Sequence, residues 1–170
     1  DLQLLVAPVK RGRIDLVMEK ACELGVDRIQ PVLTRRTVVD RLNLDRLRAH
    51  LVEAAEQCGR NALPSLHEPT KLPTVLAALN PDRTLFFAEE TGGEPAAAAM
   101  AARPGSAAIL IGPEGGFDPA ERDAIRALPH AVGIGLGPRI LRAETAAIAA
   151  VTLWMAAAGD WGQKPAGAGQ

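Results

Sequence analysis

At 170 residues the chain suits one domain with its own core and is too short for two of ordinary size. Apolar residues at 48% and charged residues at 23% are globular values, which exclude a collagen-like or wholly disordered chain. A net charge of −1 excludes a globally basic nucleic-acid binder, although basic residues can still gather on one face; of the 19 basic residues 15 are Arg, the better fork for phosphate and base edges.

In chain order, Leu2–Ala7 reads as a short apolar strand and Pro8–Gly12 as a turn. Ile14, Val17, Met18, Ala21 and Leu24 then recur at helical spacing until Gly25 stops the helix. Arg28–Leu33 is a second strand, and Pro31 within it predicts a place near an edge or a bulge. Thr34-Arg35-Arg36-Thr37 follows, a surface loop or a phosphate contact through Arg35 and Arg36. Asp45–Gln57 is an amphipathic helix that Gly59 ends, and Ser65–His67 a short strand. Leu72–Leu79 is a short helix, and the strand Thr84–Ala88 ends in Glu89-Glu90-Thr91. Gly92–Pro95 is expected to be flexible and Pro95–Ala102 helical. Asp118-Pro119-Ala120-Glu121 combines an N-cap Asp, Pro at the first helical position and Glu three residues on, and predicts a helix to about Leu128. The tail Gln163–Gln170, rich in Gly, Ala and Pro, is expected to be disordered. This alternation argues an α/β fold: a mostly parallel sheet with helices on both faces.

Two loops stand out. The strand Ala107–Ile111 runs into Gly112-Pro113-Glu114-Gly115-Gly116-Phe117, a backbone-exposing turn at the C-terminal end of a strand, where open α/β sheets bind ligands. It matches neither the dinucleotide fingerprint nor the P-loop. Later, the strand Ala131–Leu136 leads through Gly137-Pro138-Arg139-Ile140-Leu141-Arg142-Ala143-Glu144-Thr145 to an apolar helix over Ala146–Ala157. Two Arg and a Glu between core elements are costly unless paired or placed in a cleft.

Both motifs, in this order, resemble the RsmE-type 16S rRNA uridine-N3 methyltransferases of the SPOUT superfamily. Glu19–Val26 and Glu53–Asn61 agree, so the resemblance runs from about Leu2 to Trp161. It implies a SPOUT fold over 1–162 with a C-terminal trefoil knot, which periodicity could not show, since chains avoid knots by default. It also implies S-adenosyl-L-methionine held by Leu110, Gly112, Pro113, Glu114, Gly115, Leu136, Gly137, Ile140, Leu141, Arg142 and Thr145. The substrate would be 16S rRNA of the small ribosomal subunit, contacted by Gln57, Arg60, Asn61, Arg35 and Arg36.

Uridine N3 is a poor nucleophile while protonated. A cation beside the uracil oxygens would stabilise the developing charge, with Arg142 the first candidate and Arg60 the second. A carboxylate could take the proton, either Glu144 or Glu114; a brace role for Glu114 and a helix first-turn role for Glu144 stay open. The family's N-terminal PUA-like barrel has no counterpart in these residues, so cofactor binding is expected to survive and rRNA methylation to be weak. Family members are homodimers; Val151, Leu153, Trp154 and Met155 fit either a partner surface or a buried core helix. Another RNA or ribose position, or a non-catalytic binding domain, remain the alternatives.

Three further features are read as bystanders or exclusions. Cys22 and Cys58 could form a disulfide, without support, and suit a reducing compartment better. His50, His67 and His130 lack partners at ligand spacing, so no metal is expected. No signal peptide and no apolar run of roughly 18 residues are present, hence the expectation of a cytoplasmic protein.

Overall fold

The computed structural model describes residues 1–39 and 41–163. The described elements are β1 (Leu2–Val6), α1 (Arg11–Leu24), β2 (Arg28–Leu33), α2 (Leu44–Cys58), β3 (Ser65–Leu66), β4 (Thr70–Lys71) and α3 (Leu72–Ala78). They continue with β5 (Thr84–Ala88), β6 (Glu94–Pro95), α4 (Ala96–Ala101), β7 (Ala107–Ile111), α5 (Pro119–Arg126), β8 (Ala131–Gly135) and α6 (Ala143–Ala157). The strands form one sheet in the order β3-β2-β1-β7-β5-β8-β6, with β4 also paired to β2. Each of these pairings is parallel.

The centre of the sheet is β7, flanked by β1 and β5 in register: Leu2 lies opposite Ala107, and Phe87 opposite Leu110. All five β7 side chains are buried, because helices cover both faces; hence the unbroken apolar run rather than an alternating one. Side chains nevertheless alternate between two cores. Leu2, Leu4, Val6, Ala107, Ile109 and Ile111 join the core beneath α1, α2, α4 and α6. Leu5, Leu85, Phe87, Ala108 and Leu110 face the other way, against Leu72 and Val75 of α3 and Ile125 of α5.

Pro31 does lie near an edge as expected, though not on an outermost strand: β2 lies between β1 on one side and the short outer strands β3 and β4 on the other. The outer partner changes from β3 at Ile29 to β4 at Val32, so the residue without an N–H falls in the gap between two short ladders. Several expectations need correction. The 92–95 segment is a crossing rather than a flexible link. Its last two residues pair with Ile134 and Gly135, and Gly93 sits at φ +80° with its hydrogens where a Cβ would lie 2.8 Å from the Ile134 carbonyl carbon. The first helix begins at Arg11, inside the expected turn, and the last at Ala143, three residues early. Of the four apolar positions weighed as a partner surface, Val151, Trp154 and Met155 are buried within the chain; Leu153 is half-buried. The disordered-tail expectation for Gln163–Gln170 falls, apart from Gln163, outside the described residues.

The predicted capping box at Asp118 is present in full, with Pro119 at the first position and Glu121 reaching back to the Asp118 N–H. Both cysteines are free, Cys22 buried and Cys58 exposed. No described helix is long and apolar enough to cross a membrane.

Candidate functional site

A cavity of about 420 Å³ opens at the carboxyl ends of the central strands. Four chain segments meet there. Lys10 and Arg13 come from the turn after β1 and the first turn of α1; 87–91 come from the end of β5. The glycine turn after β7 supplies Gly112, Pro113, Glu114, Gly116 and Phe117. The link after β8 supplies Leu136, Gly137, Arg139, Ile140, Leu141 and Arg142. The two motifs that the sequence separates by some twenty residues thus wall one hollow, beside the point where strand order reverses between β1 and β7.

Local backbone explains why glycine is used here. Gly137 has φ +101°, a conformation that side chains disfavour, and it turns the chain from β8 into the link. At Gly112 a Cβ would lie 3.1 Å from the Phe117 ring, so the bare backbone is exposed to the cavity on one side and packed against the ring on the other.

The charges are arranged around Arg13, which the sequence reading did not single out. Its Nη1 donates to Glu114 Oε1 at 2.6 Å, and its Nε lies 3.5 Å from Glu144 Oε1. One guanidinium therefore ties the glycine turn to the start of α6. Glu144 is only 8% exposed, and its Oε2 is buried with no hydrogen-bond partner among the described residues. Of the two carboxylates weighed as a base, Glu114 lines the cavity and Glu144 does not.

Lys10, Arg122, Arg139 and Arg142 also line the cavity and make no ion pair with a described residue. With Arg13 they give five basic side chains against the carboxylates Glu89, Glu90 and Glu114. Glu89 is engaged by Arg126, whose Nε and Nη2 donate to its Oε1 at 3.0 and 2.5 Å. The hollow is locally basic although the chain is not.

The remaining sequence-selected residues fall into three groups. Leu110 is fully buried in the core against α3 and α5 and does not reach the cavity, whose lining takes Ile111, the last residue of β7. Gly115 and Thr145 are adjacent to the cavity in sequence but do not line it; Gly115 instead accepts a hydrogen bond from Arg36 Nη1 at 2.8 Å. Arg35 donates its backbone N–H to Glu121 Oε1 at 2.8 Å, so the Arg35-Arg36 loop is fastened onto the glycine turn with both side chains exposed. Arg60 is elsewhere: its Nη1 donates to the Cys22 carbonyl at 2.9 Å, with Asp27 at 3.8 Å. Asp27 also accepts from the Leu2 N–H at the amino edge of the sheet, so within this chain Arg60, with Gln57 and Asn61 beside it in sequence, sits at the end opposite the cavity. Lys10, Glu89, Glu90 and Thr91 were missed, although charged residues closing an apolar strand are the same signal that picked out Glu114.

The sequence profile of the RNA methyltransferase domain matches residues 1–155. The chain belongs to that family. Curated relatives include the ribosomal RNA small subunit methyltransferase E of Rickettsia conorii, 32% identical over 152 residues, covering 88% of this chain and 62% of the relative. That of Bacillus subtilis is 30% identical over 156 residues, with 84% and 60% covered. This RNA methyltransferase domain therefore spans less than two thirds of the length of these relatives. Among solved structures, ribosomal RNA small subunit methyltransferase E from Neisseria gonorrhoeae, bound to S-adenosyl methionine, superposes with a TM-score of 0.87 at 28% identity, covering 95% of this chain and 68% of that one. The SpoU methyltransferase AviRb from Streptomyces viridochromogenes, at 18% identity and a TM-score of 0.58, shares the fold alone. The RsmE-type resemblance and the SPOUT fold both stand.

Proposed function

We propose that this domain binds S-adenosyl-L-methionine in the 420 Å³ cavity and methylates N3 of a uridine in 16S rRNA of the small ribosomal subunit. The observation that carries the reading is the shared hollow: the glycine turn after β7 and the link after β8 wall one cavity, with Arg142, which pairs with no described residue, on its lining. The volume lies within the range of about 300–1,000 Å³ typical of cofactor sites. The bare backbone at Gly112 and Gly137 lets main-chain groups reach an adenine, with Leu136, Ile140 and Leu141 around it.

Bound there, S-adenosyl-L-methionine supplies a methyl on a sulfonium. That sulfonium would be the methyl donor, and N3 would have to give up its proton to a base on the cavity wall to accept the methyl. Glu114 is the carboxylate on the cavity wall and takes the base role ahead of Glu144. Arg142 faces the uracil oxygens and offsets their developing negative charge. Arg13 holds Glu114 in place. Lys10, Arg122 and Arg139 receive the phosphates around the target nucleotide, joined by the exposed Arg35 and Arg36 at the neighbouring loop.

The knot of the SPOUT fold belongs to this reading too; the close crossing of Gly93 over β8 supports it. So does a homodimer built on the open face of α6, where Ile148, Ala149, Thr152 and Leu153 are half-buried rather than buried.

Calorimetry with S-adenosyl-L-methionine, followed by incubation with unmodified small ribosomal subunits and mass spectrometry of the nucleosides, tests the proposal. Heat of binding and 3-methyluridine are expected. Absence of binding would overturn the cofactor reading, and a ribose-methylated product would overturn the position.

A further inference from the structure

The first turn of α1 faces two hollows, not one. Lys10 and Arg13 line the main cavity, while Arg11 and Ile14 line a second hollow of about 240 Å³. Successive helical positions rotate by about a quarter turn, so a Lys-Arg-Gly-Arg start splits its cations between both sides. The far wall of the second hollow is the segment entering α2, which brings Arg41, Leu42 and Asn43. Arg46 also lines it, but Asp15 engages that guanidinium. Arg11 and Arg41 are exposed and make no ion pair with a described residue. The floor is aliphatic, from Val9, Ile14 and Leu42.

We propose that this second hollow is a subsite for a nucleotide flanking the one methylated, its phosphate held by Arg11 and Arg41 and its base or ribose laid on the aliphatic floor. The inference rests on the function proposed above and extends it to the RNA strand. Paired guanidinium forks match phosphate oxygens, and aliphatic side chains must supply the contact surface in a chain with 3% aromatics. The two hollows share one helical turn as their partition, so a single strand that places one nucleotide in the main cavity passes Arg11 on leaving it. A polyanion that continues beyond the first site is the ligand this arrangement suits.

The test uses the chain as it stands, with Arg11→Ala/Arg41→Ala and, in case of poor folding, Arg11→Gln/Arg41→Gln. Binding of a fluorescein-labelled, uridine-bearing single-stranded RNA is followed by anisotropy across a salt series, with S-adenosyl-L-methionine titrated separately by calorimetry. Expected are unchanged cofactor affinity, RNA affinity lower by about tenfold or more, and a log–log salt slope shallower by about 0.7–1.4, the loss of one to two phosphate contacts to a single strand. With small ribosomal subunits as substrate, KM should rise and kcat hold. A folded variant with wild-type RNA affinity and slope would overturn the subsite alone. Loss of cofactor affinity in the variant would also overturn it, by assigning these residues to the cofactor site. Failure of the unaltered chain to bind cofactor would instead bring down the underlying function.

Discussion

Arg13→Met should destabilise the domain by disconnecting two carboxylates at once. The Glu144 contact is the larger loss. Its side chain is 11% exposed, and its second oxygen has no partner among the described residues, so removing Arg13 leaves a carboxylate shut away without a countercharge. Breaking a well-buried pair costs about 3–5 kcal/mol, but Arg13 is 32% exposed and the contact is 3.5 Å, which argues for less than half of that. The Glu114 contact is shorter, at 2.6 Å, yet both side chains are about a third open to water, so solvent screening limits it to about 0.5–1 kcal/mol. The sum, about 2 kcal/mol, corresponds to a fall in Tm of roughly 4–8 °C for a domain of this size. Thermal melts of Arg13→Met, Glu144→Gln and the double variant form a cycle. A neutral amide needs no guanidinium, so Glu144→Gln should recover a large part of the Arg13→Met loss. Strict additivity of the two single changes would refute the idea that Arg13 acts through Glu144.

Four further outcomes are expected. Gly137→Ala forces a side chain into the left-handed region, costing about 1–2 kcal/mol, and should weaken S-adenosyl-L-methionine binding in calorimetry by displacing the link. Gly93→Ala meets the β8 backbone at 2.8 Å and should lower the urea midpoint more than Gly137→Ala does, since no flexible side chain can give way. Arg142→Ala should reduce single-turnover methyl transfer by about 10²–10³ if its cation stabilises charge only as the reaction proceeds; a change in cofactor affinity alone would contradict that role. Burial pushes the Cys22 thiol above its ordinary range, so it stays protonated when the unfolded chain's thiol ionises. Its stabilising contribution is complete below the unfolded thiol's pKa and is lost as pH rises through the folded value. Urea denaturation at pH 7 and pH 10 should show a steeper alkaline loss in the unaltered protein than in Cys22→Ala, and iodoacetamide should label exposed Cys58 first.

What the sequence made legible was local. The capping box at Asp118 and the glycine stops at Gly25 and Gly59 are chemistry between near neighbours, and all were found where expected. The β7 strand was placed to the residue, because a run buried on both faces needs no partner to be recognised. Its phase was not legible: a fully apolar strand does not say which side chains face which helix layer, and Leu110 lies in the core against α3 and α5 rather than on the cavity lining. The crossing at Gly92–Pro95 was misread for a related reason. Two glycines read as freedom in sequence, whereas here their use is closeness to another backbone. Arg13 left no local trace at all, being 101 residues from Glu114.

That asymmetry explains how a chain of net charge −1 carries a basic cavity. Many acidic side chains are spent as braces away from the hollow or behind it: Asp15 on Arg46, Asp118 on Arg35, Glu121 on the Arg35 backbone, Glu144 on Arg13. The cations they do not reach, among them Lys10, Arg122, Arg139 and Arg142, are gathered on one lining by three segments that are remote in sequence. Net charge averages over both populations and so cannot report the cavity's sign. The field that a phosphate chain would meet is set by which carboxylates the fold has already engaged.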